Sequence, residues 1–347
     1  MSDASAPTSI APARVGVGRW LAAAALVLIS AIVALLVGSV ALSPSEVIKA
    51  LADRLPFLDV SHGLTEVESR LLFELRMPRV VMGGMVGAVL AVAGAGYQGV
   101  FRNPLADPYL LGVAAGAGLG ATAVIGLGGG SGAIPIVAFA GGLAAVGATY
   151  ALSRTVGGRT TTSLILAGVA VAAFATAVQT FLLQRNYETL REVYSWILGR
   201  LVTVGWSEVW TLIPYALLAS AALLVLRRLL DVLGLGDDEA TGLGVDVARV
   251  RRIVVIAATL ATAAAVSVSG LIAFVGIIVP NTIRLLTGWS YRVIIPLSLV
   301  YGACFLILAD LVARTVVAPA ELPIGVVTAF LGAPFFLLVL RTMRGSS

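Results

Sequence analysis

Apolar runs of about twenty residues, the length a helix needs to cross a bilayer, recur along the chain. They lie near 20–42, 78–97, 108–128, 133–153, 162–183, 207–226, 253–269, 271–287, 293–313 and 324–340, with polar and charged residues gathered between them. The pattern predicts an all-α polytopic membrane protein with about ten transmembrane helices: a tail at 1–19 followed by one membrane domain over 20–344. The punctuation is sharpest at 98–112. There Pro104 and Pro108 remove backbone donors, while Arg102, Asn103 and Asp107 place polar groups where a helix leaves lipid, so a tight turn between two spans is expected. Gly112, Gly116 and Gly120 follow at every fourth position, clearing one helix face for the close approach of a neighbouring backbone.

Composition agrees with the pattern. Hydrophobic residues make up 59% and charged residues 12%, with a mean hydropathy of +1.02; a soluble domain has about 45–50% apolar and about 25% charged. Arg14 and Arg19 ahead of the first run resemble a secretory leader. The run is longer than the roughly 7–15 apolar residues of a leader and more spans follow, so an uncleaved first helix is expected. Cys304 is the only cysteine and forms no internal disulfide. His62 is the only histidine, which argues against a histidine-based metal centre or proton relay; no metal site is expected.

Arginines set the orientation. Arg14, Arg19, Arg102, Arg154, Arg159, Arg227, Arg228, Arg249, Arg251, Arg252, Arg284, Arg292, Arg341 and Arg344 fall on one side if the N-terminus is cytoplasmic, as the positive-inside rule requires. The arginines of the opposite segments, 43–77 and 185–206, are interleaved with acids such as Glu46, Asp53, Glu66, Glu188 and Glu192. Both termini are then cytoplasmic, and the net charge of +5 follows from topology with no need of a nucleic-acid partner. The halves also echo each other. Arg76-Met77-Pro78-Arg79-Val80-Val81 opens the second span outside and Arg249-Val250-Arg251-Arg252-Ile253-Val254 the seventh inside. Five spans per half make the second copy upside down: two inverted five-helix repeats, the plan of many transporters.

Several blocks closely resemble one family. They are 76–79, 98–112, Gly270-Leu271-Ile272-Ala273-Phe274-Val275-Gly276-Ile277-Ile278-Val279-Pro280, the stretch 308–314 containing Asp310 and Arg314, and 321–335. They resemble, in order, the FecCD family, the permease subunits of bacterial type II ABC importers for ferric siderophores, haem and cobalamin. The resemblance implies a homodimer in the bacterial inner membrane with its pathway on the two-fold axis. It also implies two ATP-binding subunits on the cytoplasmic side, which would hold ATP and Mg, and an external substrate-binding protein. No cofactor is expected on this chain. Lys49, the only lysine, lies on an external segment, so the loop that cradles phosphate in an ATPase is missing.

The resemblance also assigns residues. The coupling segment is 231–252, where four glycines punctuate short helices and Asp237, Asp238, Glu239, Thr241, Gly242 and Gly244 would meet the ATPase. Arg76, Arg79 and Arg314 match positions that pair with glutamates of the binding protein, and forked guanidinium groups suit such bidentate contacts. They also suit snorkelling at a helix end, and Arg314 an i,i+4 pair with Asp310. The pathway would run along the fifth and tenth spans, 160–183 and 323–340, together with the third and eighth, with Thr176, Gln179, Thr180 and Thr328 as polar groups and Trp196 in an outer gate. Such hydroxyls equally bond their own helix carbonyls, and Trp196 equally serves as an interfacial anchor. Where the family often has histidine this chain has Asn281, an amide expected to cap a helix turn and unable to titrate.

The function expected is ATP-driven import of a metal chelate, in the order ferric siderophore, cobalamin, haem, by a subunit that is not an enzyme. An ion-coupled secondary transporter is the alternative. It wants intramembrane carboxylates, and Asp310 is the sole candidate. An intramembrane enzyme would need a Ser/His, paired-Asp or metal constellation that the spans lack.

Overall fold

The computed structural model describes residues 16–38, 40–155, 161–201 and 205–344. Of the expected tail only 16–19 is described, and a helix has already begun there. Arg14, Arg159 and Thr160 lie outside the described residues, as do positions 202–204 of the expected gate region.

All regular structure among the described residues is helical. The first span is α1 (Val17–Leu36), followed outside the bundle by α2 (Pro44–Asp53) and α3 (Glu66–Arg70). A wide turn at Leu71–Arg76 joins α3 to α4 (Met77–Phe101). Beyond them come α5 (Val113–Gly126), α6 (Ala133–Thr155), α7 (Thr161–Arg185) and the short α8 (Leu190–Ile197). The second part holds α9 (Ser207–Leu233), the short α10 (Asp237–Gly242), α11 (Val247–Ser269), α12 (Val275–Thr287), α13 (Tyr291–Thr315) and α14 (Ile324–Arg344). Eight helices are long and apolar enough to cross a membrane, and α5 and α12 are shorter apolar helices.

The centre is built from α4, α11 and α13, whose spanning stretches are 78%, 72% and 67% buried, against 22% to 33% for α1, α6, α7, α9 and α14. Small residues bring these backbones together. A side chain at Gly87 of α4 would collide with the carbonyl of Gly302 on α13, and one at Gly94 with that of Gly276 on α12. In lipid, where every carbonyl and amide needs a protein partner, two prolines decide two further contacts. Pro78 cannot donate to the Glu74 carbonyl, and the Gly205 N–H takes that place at 3.1 Å. The widened turn sends the Met77 N–H to Leu72, so the Phe73 carbonyl accepts instead from Trp206 Nε1 at 3.1 Å. Pro280 likewise frees the Gly276 carbonyl, which accepts from Gln98 Nε2 at 2.8 Å.

Two expected spans begin later than their hydropathy suggested. The run at 108–128 opens with a 3-10 turn, Pro108–Leu111, and α5 starts only at Val113; the run at 271–287 opens with irregular backbone, and α12 starts at Val275. At 1.5 Å per residue the two helices are roughly 20 Å long, short of a bilayer core of about 30 Å. The rest of the depth is non-helical backbone satisfied by side chains. Asn281 Nδ2 donates to the Pro104 carbonyl at 2.8 Å, Thr149 Oγ1 to that of Leu111 at 3.0 Å, and the Tyr109 hydroxyl both donates to the Ile272 carbonyl and accepts from its N–H. Each half of the chain thus repeats one motif: long buried helix, irregular connector, short helix.

Candidate functional site

Arginines and carboxylates close the end of the bundle that carries α8. Arg76 is 6% exposed, and its guanidinium donates to the carbonyls of Leu35, Leu36 and Val40 at the end of α1. Arg314, 7% exposed, donates from Nε to Asp310 at 2.9 Å and from its Nη atoms to Ala34 and Val37. Arg79 bridges two acids: Nη2 lies 2.9 Å from Asp310 and 2.9 Å from Glu321. The Arg314–Asp310 i,i+4 pair anticipated beside docking is present, and the guanidinium groups of Arg76 and Arg314 are both engaged within the chain. Both are buried, because the last carbonyls of α1 have no helical partners and draw the guanidinium groups inwards. Of the three, Arg79 is the one whose partner, Glu321, is substantially exposed. The sequence could not show this, since the α1 carbonyls lie about 40 residues from Arg76 and 277 to 280 from Arg314.

At the opposite end α10 sits on the bundle through its buried Ala240. Asp237 accepts from Arg251 at 3.2 Å and pairs with Arg102 at 3.2 Å, tying α10 to the ends of α4 and α11. Half-exposed, it fastens the segment to the bundle. Asp238, Glu239, Thr241, Gly242 and Gly244 are exposed, flanked by exposed Leu235 and Leu243. Gly244, with φ of 81°, closes α10 in a left-handed cap in which the Val245 N–H returns to the Ala240 carbonyl. Asp246 then caps α11 by accepting from the Arg249 N–H at 2.9 Å.

The expected pathway residues part company. Thr176 and Thr180 lie on the exposed face of α7, where the Thr180 hydroxyl bonds the Thr176 carbonyl at 2.9 Å. Gln179 faces inwards, donating to Thr122 Oγ1 on α5 at 3.0 Å; Thr328 is buried and bonded to the Gly325 carbonyl; Trp196 is buried against α5. Within one protomer these three side chains make packing contacts. The glycine face also divides. Gly116 and Gly120 meet the α6 backbone at Gly141 and Val137, whereas Gly112 adopts φ of 85° at the head of α5 and is required by that turn. Asn281, expected to cap a turn, instead pins the connector to α12 and accepts from Arg284 Nη1 at 2.8 Å.

No cluster of three or more His, Cys, Asp or Glu that could hold a metal occurs among the described residues. Buried polar groups serve backbone joints. With irregular connectors at membrane depth and charged clasps at both ends, the molecule has the build of a polytopic transport subunit. The chain belongs to the FecCD transport family, whose sequence pattern matches residues 26–342. It is 41% identical over 280 residues, 80% of this chain and 75% of the relative, to the cobalamin import system permease protein BtuC of Halobacterium salinarum. It is 39% identical to the hemin transport system permease protein HmuU of Yersinia pestis, over 77% of this chain and 82% of that one. Among solved structures it resembles an inward-facing metal-chelate type ABC transporter, with a TM-score of 0.81 and 30% identity over 93% of this chain and 98% of that chain. The protein is accordingly a multi-pass membrane permease component of a metal-chelate ABC importer, a family whose ATP-hydrolysing subunit is separate.

Proposed function

We propose that the chain, as a homodimer, moves a ferric siderophore inwards, driven by two ATP-binding subunits that hold ATP and Mg and seat on α10. The exposed face of α10 carries the reading. Leu235 and Leu243 flank Asp238 and Glu239 on a helix fixed to the bundle through Asp237, which suits a contact that must transmit force without bending. On this reading α10 and both termini are cytoplasmic, as the arginine bias favours. The α8 end then receives a binding protein at Arg79 and Glu321, with Arg76 and Arg314 as supports. Relatives named for Fe(3+)-citrate and iron(3+)-hydroxamate import, at 36% identity, support an iron chelate; the 41% identity to a cobalamin permease makes cobalamin the second reading. Ion coupling has less support, because Asp310, its one candidate carboxylate, is held by Arg79 and Arg314.

The test is reconstitution with the ATPase subunit and binding protein, supplied with labelled ferric hydroxamate, ferric citrate or cobalamin. Changing Asp238 and Glu239 to Arg and Leu243 to Asp should abolish chelate-stimulated ATP turnover while the permease still elutes as a dimer. Normal turnover in that variant would sink the seating on α10. Uptake of cobalamin alone would replace the siderophore reading by the second.

A further inference from the structure

Beside α10 lies a cavity of about 340 Å³ between the end of α4, the connector after it, the end of α9 and the α12–α13 turn. Gln98, Arg102, Asp231, Arg284, Trp289 and Tyr291 are among the residues that line it. Arg284 is 5% exposed. Its Nη atoms donate to Asn281 Oδ1 at 2.8 Å and to the Tyr291 hydroxyl at 3.2 Å, and its carbon lies 5.7 Å and 5.6 Å from the ring centres of Trp289 and Tyr291. Among the described residues no carboxylate forms an ion pair with it. Asp231, the acid on the same wall, accepts instead from Ser290 and from the Tyr291 N–H and pairs with Arg292, while Asp237 is taken by Arg102 and Arg251.

Two buried polar atoms on this wall have no partner: Arg284 Nε, a donor, and Gln98 Oε1, an acceptor. A buried cation held only by neutral dipoles and ring faces is costly, and an unmet N–H beside it adds to the cost. A carboxylate entering the cavity meets both needs of the guanidinium, its charge and its free donor. The Gln98 acceptor asks for a donor as well, which a bare carboxylate lacks and the backbone N–H groups of a polypeptide carrying that carboxylate supply. The mouth adjoins the exposed surface of α10, since Gly234 and Arg102 belong to both regions.

We propose that this cavity receives an acidic side chain of the cytoplasmic ATPase subunit, gripped by Arg284 from within and guided by Arg102 at the mouth. The inference rests on the seating of that subunit on α10. It adds a second point of contact, in which the partner inserts into the permease and thereby holds together α4, α9 and the α12–α13 turn. The partner's grip then reaches the joint where Gln98, Gly276 and Asn281 meet the connector.

The experiment uses the purified permease–ATPase complex. Two variants carry the photo-cross-linker benzoylphenylalanine, one in place of Trp289 at the cavity mouth and one in place of Leu243 on α10. Irradiation should join both to the ATPase subunit, and the adduct at 289 should map beside an Asp or Glu of that subunit. In parallel, Arg284→Gln should lower chelate-stimulated ATP turnover at least tenfold with Arg284→Lys between it and the parent, and elution of the dimer reports on folding. If Arg284→Gln does not fold, the adduct at 289 alone decides. An adduct at 243 without one at 289 overturns the cavity contact and leaves the seating on α10 intact. Adducts at neither position overturn the seating itself, and the cavity contact with it. If inorganic phosphate raises the unfolding temperature of the permease alone, loses that effect in Arg284→Gln, and 289 gives no adduct, the cavity is a small-anion site and the proposal falls.

Discussion

Arg314 and Arg284 are both buried in the membrane domain, one near each end, and they are neutralised in opposite ways. Arg314 shares Asp310 with Arg79 and closes its remaining donors on α1 carbonyls. Arg284 has an amide, a phenol and two aromatic faces, and no acid. The difference separates two uses of the same side chain. At the α8 end Arg79 and Arg314 share Asp310, while Arg76, like Arg284, has no acid and is held by the α1 carbonyls; together they clasp α1, α4 and α13. At the α10 end the balance is left open, which is what a surface prepared for a subunit would show.

The strongest way to break this comparison is Asp310→Ala, which leaves Arg79 and Arg314 without their shared carboxylate. Removing one partner of a buried pair costs about 3–5 kcal/mol; unfolding of the detergent-solubilised permease should show a loss of that size, and a loss under about 1 kcal/mol would mean that the clasp is ornamental. A steric change calibrates the electrostatic one. Gly116→Leu pushes a side chain into the Gly141 carbonyl and Ala145, and overpacking of this kind costs about 1–3 kcal/mol, read from the same unfolding curves. Arg284→Met should be the mirror image of the aspartate change. Exchanging an unpaired buried charge for an apolar chain should leave the isolated permease within about 1 kcal/mol of the parent or more stable, whereas destabilisation on the scale of Asp310→Ala would show that the two arginines are equivalent.

The smallest effect lies outside the membrane, in the approach to the clasp. Glu46 on α2 is held below the usual carboxylate range by the Lys49 hydrogen bond first and the Gly63 N–H second. Its folded pKa is depressed, so its contribution to local order is complete above the ordinary carboxylate value and is lost as pH falls through the lowered one. The protection factor of the Gly63 amide, taken against its intrinsic exchange rate at each pH, should fall over that acidic window, and Glu46→Gln should remove that fall.

Much of this architecture was readable in the chain, and the gaps have physical reasons. Spans at 78–97, 133–153, 162–183 and 293–313 fall inside α4, α6, α7 and α13 because apolar length alone decides whether a helix can lie in lipid. Hydropathy does not report whether the backbone inside an apolar run is helical. The runs at 108–128 and 271–287 hide irregular connectors whose carbonyls are met by Tyr109, Asn281 and Thr149, partners remote in sequence. The partners of the site residues were hidden in the same way. Nothing local to Arg76 announces that Leu35 and Val40 will take its donors, and Gln179 reads as a pathway amide until Thr122 is seen opposite it. Family motifs pointed to segments and left open which side chains face outwards.

Phe274 carries a mechanical consequence. It precedes α12 with φ of 69°, a left-handed conformation that costs a bulky residue about 1–3 kcal/mol, and its ring fills the place where a side chain on Gly332 of α14 would stand. α14 is one of the lightly held outer helices, 28% buried. The notch at Gly332 is what keeps the ring, and through it the backbone, in a wound position. Any side chain at Gly332 would displace that ring, so α14 and the head of α12, the helix that carries Gly276, Asn281 and Arg284, interlock at this one residue pair.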